Sequence, residues 1–174
     1  MKKTVLTYGL IAGAIVAAFM VYGTYSYYSN PDYNCSEVLG YSGMLVAFAF
    51  VFIGIKSYRD KENEGIITFG KALKIGALIA FIASCIYVGV WLIEYYCFFP
   101  DFMEKYAAAA IKNMKATELS AIEIKIKTDE INQYREIYKS PLGVILFTFV
   151  EILPLGLLVA FISSLILRRK VKTP

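Results

Sequence analysis

Hydrophobic positions along the chain fall into four long blocks that are separated by polar stretches. We place these blocks at about 5–28, 38–55, 72–99 and 141–167. A helix of about 20 mostly apolar residues suffices to cross the hydrocarbon core of a bilayer. A helix also pairs its backbone hydrogen-bonding groups internally, as lipid requires. The pattern therefore predicts an all-α membrane protein with four transmembrane helices.

The first block has a second interpretation. Lys2 and Lys3 precede it, and a basic pair before an apolar run is also typical of a secretory signal peptide. A signal peptide has an apolar core of about 7–15 residues and small residues at its cleavage site. Here the apolar run is longer and ends in the bulky side chains of Tyr25, Tyr27 and Tyr28. We therefore favour an uncleaved membrane helix.

A long polar stretch, 101–139, separates the third block from the fourth and contains as many acids as bases. Ser120 and Glu123 have the spacing of a capping box, in which each residue satisfies a free backbone donor of the other. We predict two helices, about 102–116 and 121–139, which form an extramembrane helical hairpin.

Composition supports the membrane assignment. Hydrophobic residues make up 58 % of the chain and charged residues 18 %, whereas soluble domains are about 45–50 % apolar and about 25 % charged. We treat 1–174 as a single four-helix membrane domain with 101–139 as an insertion. The formal net charge of +4 is small and scattered, which does not favour nucleic acid as a partner. The lipid bilayer is the expected environment.

Basic residues concentrate in the tails and in the connection after the second block. They are Lys2, Lys3, Lys56, Arg59, Lys61, Lys71, Lys74, Arg168, Arg169, Lys170 and Lys172. Short cytoplasmic segments carry an excess of Lys and Arg. The distribution therefore predicts cytoplasmic N- and C-termini and places the hairpin on the opposite side.

The sequence lacks the side-chain combinations of several common catalytic and metal sites. The chain has no histidine and three cysteines, which removes the usual zinc ligand sets and any Ser-His or Cys-His pair. We find no nucleotide-binding loop and no calcium-binding loop. We therefore expect no catalytic residues, no metal, no cofactor and no enzymatic activity.

Two acids interrupt the apolar blocks. Glu151 lies ten positions beyond Pro141, about 15 Å into a core roughly 30 Å thick. An ionised carboxylate is costly at that depth, so Glu151 is either a proton-linked or cation-binding carboxyl or a neutral one that fixes helix packing. The packing interpretation predicts a hydrogen bond within its own helix or to Ser84 or Tyr87. Glu94 lies near the outer end of its helix, and we expect it to reach headgroups or water.

Small residues recur every four positions on three of the predicted helices. The rows begin with Gly9 and Gly13 in the first helix, with Gly76 in the third and with Gly156 in the fourth. Such rows let helices approach closely in lipid. We interpret these glycines as packing positions, either within one chain or between chains.

Cys35 and Cys97 both fall at the outer surface in this topology. They would form a disulfide in an oxidising compartment if their Cα atoms came within about 7 Å, and would otherwise be two thiols. The sequence leaves both alternatives open.

Several segments resemble one bacterial family over nearly the whole chain and in the same order. They are MKKTVLTYGLIAG, EVLGYSGMLVAFAFVFIGIKSYRDK, ITFGKALKIG, FPDFMEKYA, FVEILPLGL and ILRRK. The family is catalogued as domain of unknown function 4199 and is found mainly in Bacteroidetes. The resemblance implies four membrane helices with a polar segment before the last, in the inner membrane of a Gram-negative bacterium. It implies no activity, and the cysteines are not part of its pattern.

Two functions from different classes follow. The first is a non-enzymatic interaction or accessory protein that binds copies of itself or a partner membrane protein through helix packing and the periplasmic hairpin. The second is a small oligomeric transporter or permease subunit in which Glu151 is the coupling acid. An intramembrane enzyme is the third alternative, and the missing nucleophile–base pair argues against it.

Overall fold

A computed structural model describes residues 1–29, 37–116 and 120–169 of the protein. Its described residues are almost entirely helical, and a π-helical turn follows the third α-helix. The elements are α1 (Lys2–Ser29), α2 (Glu37–Glu62), α3 (Phe69–Ile93), the π-turn (Glu94–Phe98), α4 (Phe102–Ala116), α5 (Ala121–Tyr138) and α6 (Pro141–Leu167).

Four of these helices are long and apolar enough to cross a membrane: α1, α2, α3 with its π-turn, and α6. The prediction of an all-α membrane protein with four transmembrane helices and a helical hairpin before the last is confirmed. The second helix continues to Glu62, beyond the predicted end at 55. An apolar block marks only what lipid can cover, whereas the helical backbone continues into the polar segment that follows.

Contacts divide the chain into two compact units, which we describe separately. The first comprises Met1–Trp91 and Phe149–Pro174, and the second comprises Leu92–Thr148. The interpretation of 1–174 as a single domain stays a prediction.

The core of the first unit is built from all four membrane helices. Its fully buried side chains include Ala12 and Val16 of α1, Phe48, Val51 and Ile55 of α2, Ile75, Ile79 and Ala83 of α3, and Ile152 and Ala160 of α6. Apolar burial gains little in lipid, because lipid tails are as apolar as these side chains. Close van der Waals packing therefore supplies most of the cohesion of this unit.

The ends of α2 and α6 are joined by a buried cation. Arg59 is 8 % exposed, and its Nη1 donates to the carbonyl oxygen of Leu167 at 3.3 Å. Its Nε lies 2.6 Å from Oδ1 of Asp60. The last carbonyls of a helix lack partners within the helix, so Arg59 satisfies one of them at the negative end of α6.

The connection between α2 and α3 lies against the same end of α6. Ile67 and Arg169 exchange backbone hydrogen bonds of 3.2 and 2.9 Å, and the Ile67 side chain is buried. The chain turns there through Glu64 and Gly65, whose φ angles are 52° and 78°. Gly65 suits that left-handed backbone because it has no Cβ.

In the second unit, α4 and α5 pack through a small core of their own. Ala107 and Met114 of α4 and Ile131 of α5 are buried there. The helix α5 begins with the predicted capping box: Glu123 N–H donates to Ser120 Oγ, and the Glu123 carboxylate accepts from Ser120 N–H at 2.9 Å. Ile122, Ile124 and Ile126 alternate with polar residues as in a strand, but all three lie within α5.

Aromatic rings join α5 to the π-turn and to the start of α6. The Tyr138 ring lies 5.3 Å from that of Tyr95 and 5.9 Å from that of Phe147, and Tyr134 lies 5.1 Å from Phe147. These separations are typical of favourable edge-to-face or tilted pairs.

The turn between α5 and α6 requires a glycine. Ser140 caps α6 by accepting a hydrogen bond from Gly143 N–H at 3.0 Å. A Cβ added at Gly143 would lie 2.1 Å from the carbonyl oxygen of Ile137, so no side chain fits at that position. Ser140 followed by Pro141 forms the helix start that their residue types favour.

Candidate interaction face of the fourth membrane helix

One side of α6 packs closely on α2 and α3. A Cβ added at Gly156 would lie 2.7 Å from Cζ of Phe48 and 2.9 Å from Cβ of Ala80. A Cβ added at Gly76 would lie 2.8 Å from Cβ of Ala160. The small residues of α3 and α6 thus face each other within the chain, and their size permits the short separation of the helices.

The small residues of α1 have a similar environment. A Cβ added at Gly9 would lie 2.8 Å from Cγ2 of Ile82, and one at Gly13 would lie 2.4 Å from Cδ1 of Ile86. The side chains of Ile82 and Ile86 in α3 therefore occupy the space beside the two glycines of α1. All four glycines named as packing positions lie at close contacts inside the first unit.

The other side of α6 is exposed and contains a carboxyl group. Glu151 is exposed, together with Pro154, Leu158, Phe161 and Leu165. At about 100° per residue, these positions lie on one face of the helix. We call this set of five residues the outward face of α6. In a membrane it meets either lipid tails or another protein.

The structure bears on one of the two interpretations of Glu151. The packing interpretation predicts a hydrogen bond within α6 or across to α3, but Glu151 is exposed, and among the described residues none makes a hydrogen bond with its carboxyl. Ser84, one of the expected partners, donates its hydroxyl hydrogen to the carbonyl oxygen of Ala80 at 2.9 Å. The position of Glu151 along the helix gives its depth in the membrane but does not determine which face of α6 it occupies.

Glu94 also departs from expectation. We expected an interfacial acid that reaches headgroups or water, but Glu94 is 7 % exposed and begins the π-turn. The widened turn is closed by a hydrogen bond of 2.8 Å from Phe99 N–H to the Glu94 carbonyl oxygen. A regular helix drawn from the sequence contains no such turn, so the direction of the Glu94 side chain was not predictable from its position.

The cysteines do not form a described site. Cys97 is exposed in the π-turn, while Cys35 lies outside the described residues, so neither alternative for this pair, a disulfide or two thiols, is tested. Cys85 is exposed on α3. Over the described ranges no three His, Cys, Asp or Glu side chains cluster as a metal site would need.

Sequence reasoning identified Glu151 but missed the leucines that share its face. Leu158 and Leu165 follow Glu151 at successive intervals of seven residues and are 54 % and 41 % exposed. The interval was present in the sequence. Its significance could not be recognised from the sequence, because lipid-facing and protein-facing positions of a membrane helix are both apolar.

A family model described as "Protein of unknown function (DUF4199)" matches residues 7–169, which is nearly the whole chain. The resemblance noted in the sequence is thus confirmed. No curated protein and no solved structure matches the chain. The chain belongs to the DUF4199 family of proteins of unknown function.

Proposed function

We propose that this protein is a non-enzymatic interaction or accessory protein of the bacterial inner membrane. The outward face of α6 and the α4–α5 hairpin make its contacts. The observation that carries the proposal is Glu151, an exposed glutamate within a membrane-spanning helix. A charged residue at the centre of a span costs about 2.5–3.5 kcal/mol on insertion scales. A protein partner that hydrogen-bonds the carboxyl reduces that cost, whereas lipid tails cannot.

The hairpin offers a second contact surface. Ile122 and Ile126 are 73 % and 53 % exposed and lie one helical turn apart on α5. Lys125 and Lys127 are exposed beside them. Glu123, Asp129 and Glu130 are exposed there as well, so the apolar pair suits an apolar partner segment that has charges of both signs.

The orientation belongs to the proposal as well. The basic tails and the basic α2–α3 connection support a cytoplasmic location for both termini and a periplasmic location for the hairpin. A membrane-impermeant thiol reagent tests this in right-side-out and inverted vesicles, in a cysteine-free background. Lys125→Cys should react only from the periplasmic side, and Arg169→Cys only from the cytoplasmic side. Reaction of both from one side would contradict the orientation.

Photo-crosslinking tests whether the protein binds a partner through α6. A photoreactive residue replaces Leu158 on the outward face, and a matched control replaces Leu10, which is 55 % exposed on α1. Leu10 lies eight residues from the start of α1, and Leu158 lies nine residues from the end of α6. Basic residues adjoin both of these helix ends, so the two positions have similar depths in the membrane. After irradiation of native membranes, position 158 should give a discrete protein adduct that position 10 does not. Lipid adducts alone at both positions would contradict the proposal.

The same exposed glutamate favours a second candidate, a small oligomeric transporter in which Glu151 is the coupling acid. Glu151→Gln retains a polar side chain but cannot exchange a proton. This candidate predicts loss of proton-coupled uptake or of the associated phenotype at unchanged protein level. An unaltered phenotype in that variant would eliminate it.

A further inference from the structure

We propose that the outward face of α6 binds the same face of a second copy of this chain, with the two Glu151 carboxyls hydrogen-bonded to each other. This inference rests on the proposed function, because it names the partner of the surface that carries it.

The spacing of the exposed residues fits a helix pair. Glu151, Leu158 and Leu165 recur every seven residues, and Pro154 and Phe161 occupy the intermediate positions. A seven-residue repeat with such intermediate positions is the pattern by which two helices pack along a common seam. The row of small residues at Gly156 and Ala160 lies on the other side of α6 and is already in contact with α2 and α3.

Membrane topology fixes how two copies meet. The concentration of basic residues at one end of the bundle gives every copy the same orientation. A two-fold axis that relates two such copies must then be parallel to the membrane normal. Their α6 helices run parallel, and each residue on the seam faces its own counterpart. Glu151 therefore faces Glu151.

The chemistry of a carboxyl suits this arrangement. A protonated carboxyl has one hydrogen-bond donor and retains acceptor capacity, so two of them satisfy each other without a net charge. Within the described part of the chain, Glu151 has no such partner. A Lys or Arg from a different protein would also pair with it, but that arrangement places two ions in the hydrocarbon core and requires both to be desolvated. The neutral pair is therefore favoured.

Disulfide formation between single cysteines tests the seam. Cys35, Cys85 and Cys97 are replaced by serine, and one cysteine is introduced at position 157, 158, 165 or 166. Leu157 and Ile166 are matched controls, since they are 40 % and 65 % exposed but lie about 100° around the helix from their seam neighbours. Two copies with different tags are produced together and oxidised in the membrane. Doubly tagged dimer should form from 158 and 165 at least about fivefold more than from 157 and 166, because a disulfide needs Cα atoms within about 7 Å.

The role of the carboxyl is tested in the variant Leu158→Cys. In that background Glu151→Gln preserves a donor and an acceptor, so the dimer yield should stay within about twofold. Glu151→Leu removes both and should lower the yield about three- to tenfold, as expected for the loss of hydrogen bonds between membrane helices. Equal yields at 157 and 158, or no effect of Glu151→Leu, would overturn the inference.

The two levels of the proposal fail differently. A photo-adduct from position 158 to a different polypeptide, without doubly tagged dimer, overturns self-association and leaves the proposed function intact. The absence of any protein adduct and of any dimer overturns both.

Discussion

Glu151 and Gly156 lie five residues apart on α6 and face opposite surroundings. A Cβ at Gly156 would meet the Phe48 ring at 2.7 Å, whereas Glu151 is exposed. Five residues correspond to about 140° around a helix, so one packed face and one outward face coexist on a single span. The first joins α6 to its own bundle, and the second is available to a partner.

Adding a methyl group at Gly156 should destabilise the bundle. Gly156→Ala places a Cβ 2.9 Å from that of Ala80, and overpacking of this kind costs about 1–3 kcal/mol. Gly89→Ala is the control, because no atom lies within 4 Å of a Cβ at that position. Thermal unfolding in a mild detergent should show a lower midpoint for the first variant alone. Equal midpoints would show that α6 does not approach α2 and α3 this closely.

Gly143→Ala should loosen the second unit. The new Cβ would meet the Ile137 carbonyl oxygen at 2.1 Å, and the backbone must shift to relieve the contact, at a cost of about 1–3 kcal/mol. Since α5 and α6 are joined at this turn, protease cleavage within the hairpin should become faster. Gly70→Ala serves as the control, with no atom within 4 Å of its Cβ. An unchanged rate of protease cleavage in Gly143→Ala would contradict the close contact between position 143 and the Ile137 carbonyl oxygen.

Arg59→Ala should lower the free energy of unfolding by about 1–3 kcal/mol. The variant loses the hydrogen bond from the guanidinium and leaves the carbonyl oxygen of Leu167 without it. Lys56→Ala, an exposed cation one turn away on α2, should change the free energy of unfolding by less than about 0.5 kcal/mol. Arg59→Lys should restore only part of the loss, because a single ammonium cannot reproduce the planar guanidinium contacts. A loss no larger than that of Lys56→Ala would indicate that Arg59 does not hold α6.

The capping box gives α5 an acid-sensitive start. Hydrogen bonds from the Ser120 hydroxyl and backbone N–H lower the pKa of Glu123 below its ordinary value of 4.5. Because the folded-state pKa is the lower one, the stabilisation is complete above the unfolded value and is lost as pH falls through the folded value. Amide hydrogen exchange in the first turn of α5 should therefore accelerate relative to the second turn only below about pH 4.5.

Glu123→Gln provides the control for that experiment. Glutamine also forms a capping box but does not titrate in this range. Its first turn should keep the same relative exchange rate across the acid range, after correction for intrinsic exchange. If the variant and the original protein lost protection at the same pH, the effect would not come from the Glu123 carboxyl.

The starts of α5 and α6 were predictable from local chemistry, while the end of α2 and the faces of the helices were not. Ser140 with Pro141, and Ser120 with Glu123, specify helix starts through their own backbone hydrogen bonds, so neighbouring residues suffice to identify them. The direction of Arg59 depends on its contact with Leu167, which is distant in sequence, and that of Glu94 depends on the π-turn that it begins. Inside a bilayer the usual alternation of apolar and polar faces is absent, because both faces are apolar. The exposure of Glu151 therefore emerged only from the packed structure.

The central claim is that protein, and not lipid, covers the outward face of α6. The oxygen accessibility of a nitroxide label tests this claim most directly. The label is attached at position 158 or at the matched position 10. The protein is extracted together with its native lipids and without detergent. The account predicts that the label at 158 is several-fold less accessible to oxygen than the label at 10, because a partner helix excludes the lipid that dissolves oxygen. Equal accessibility at the two positions would contradict it.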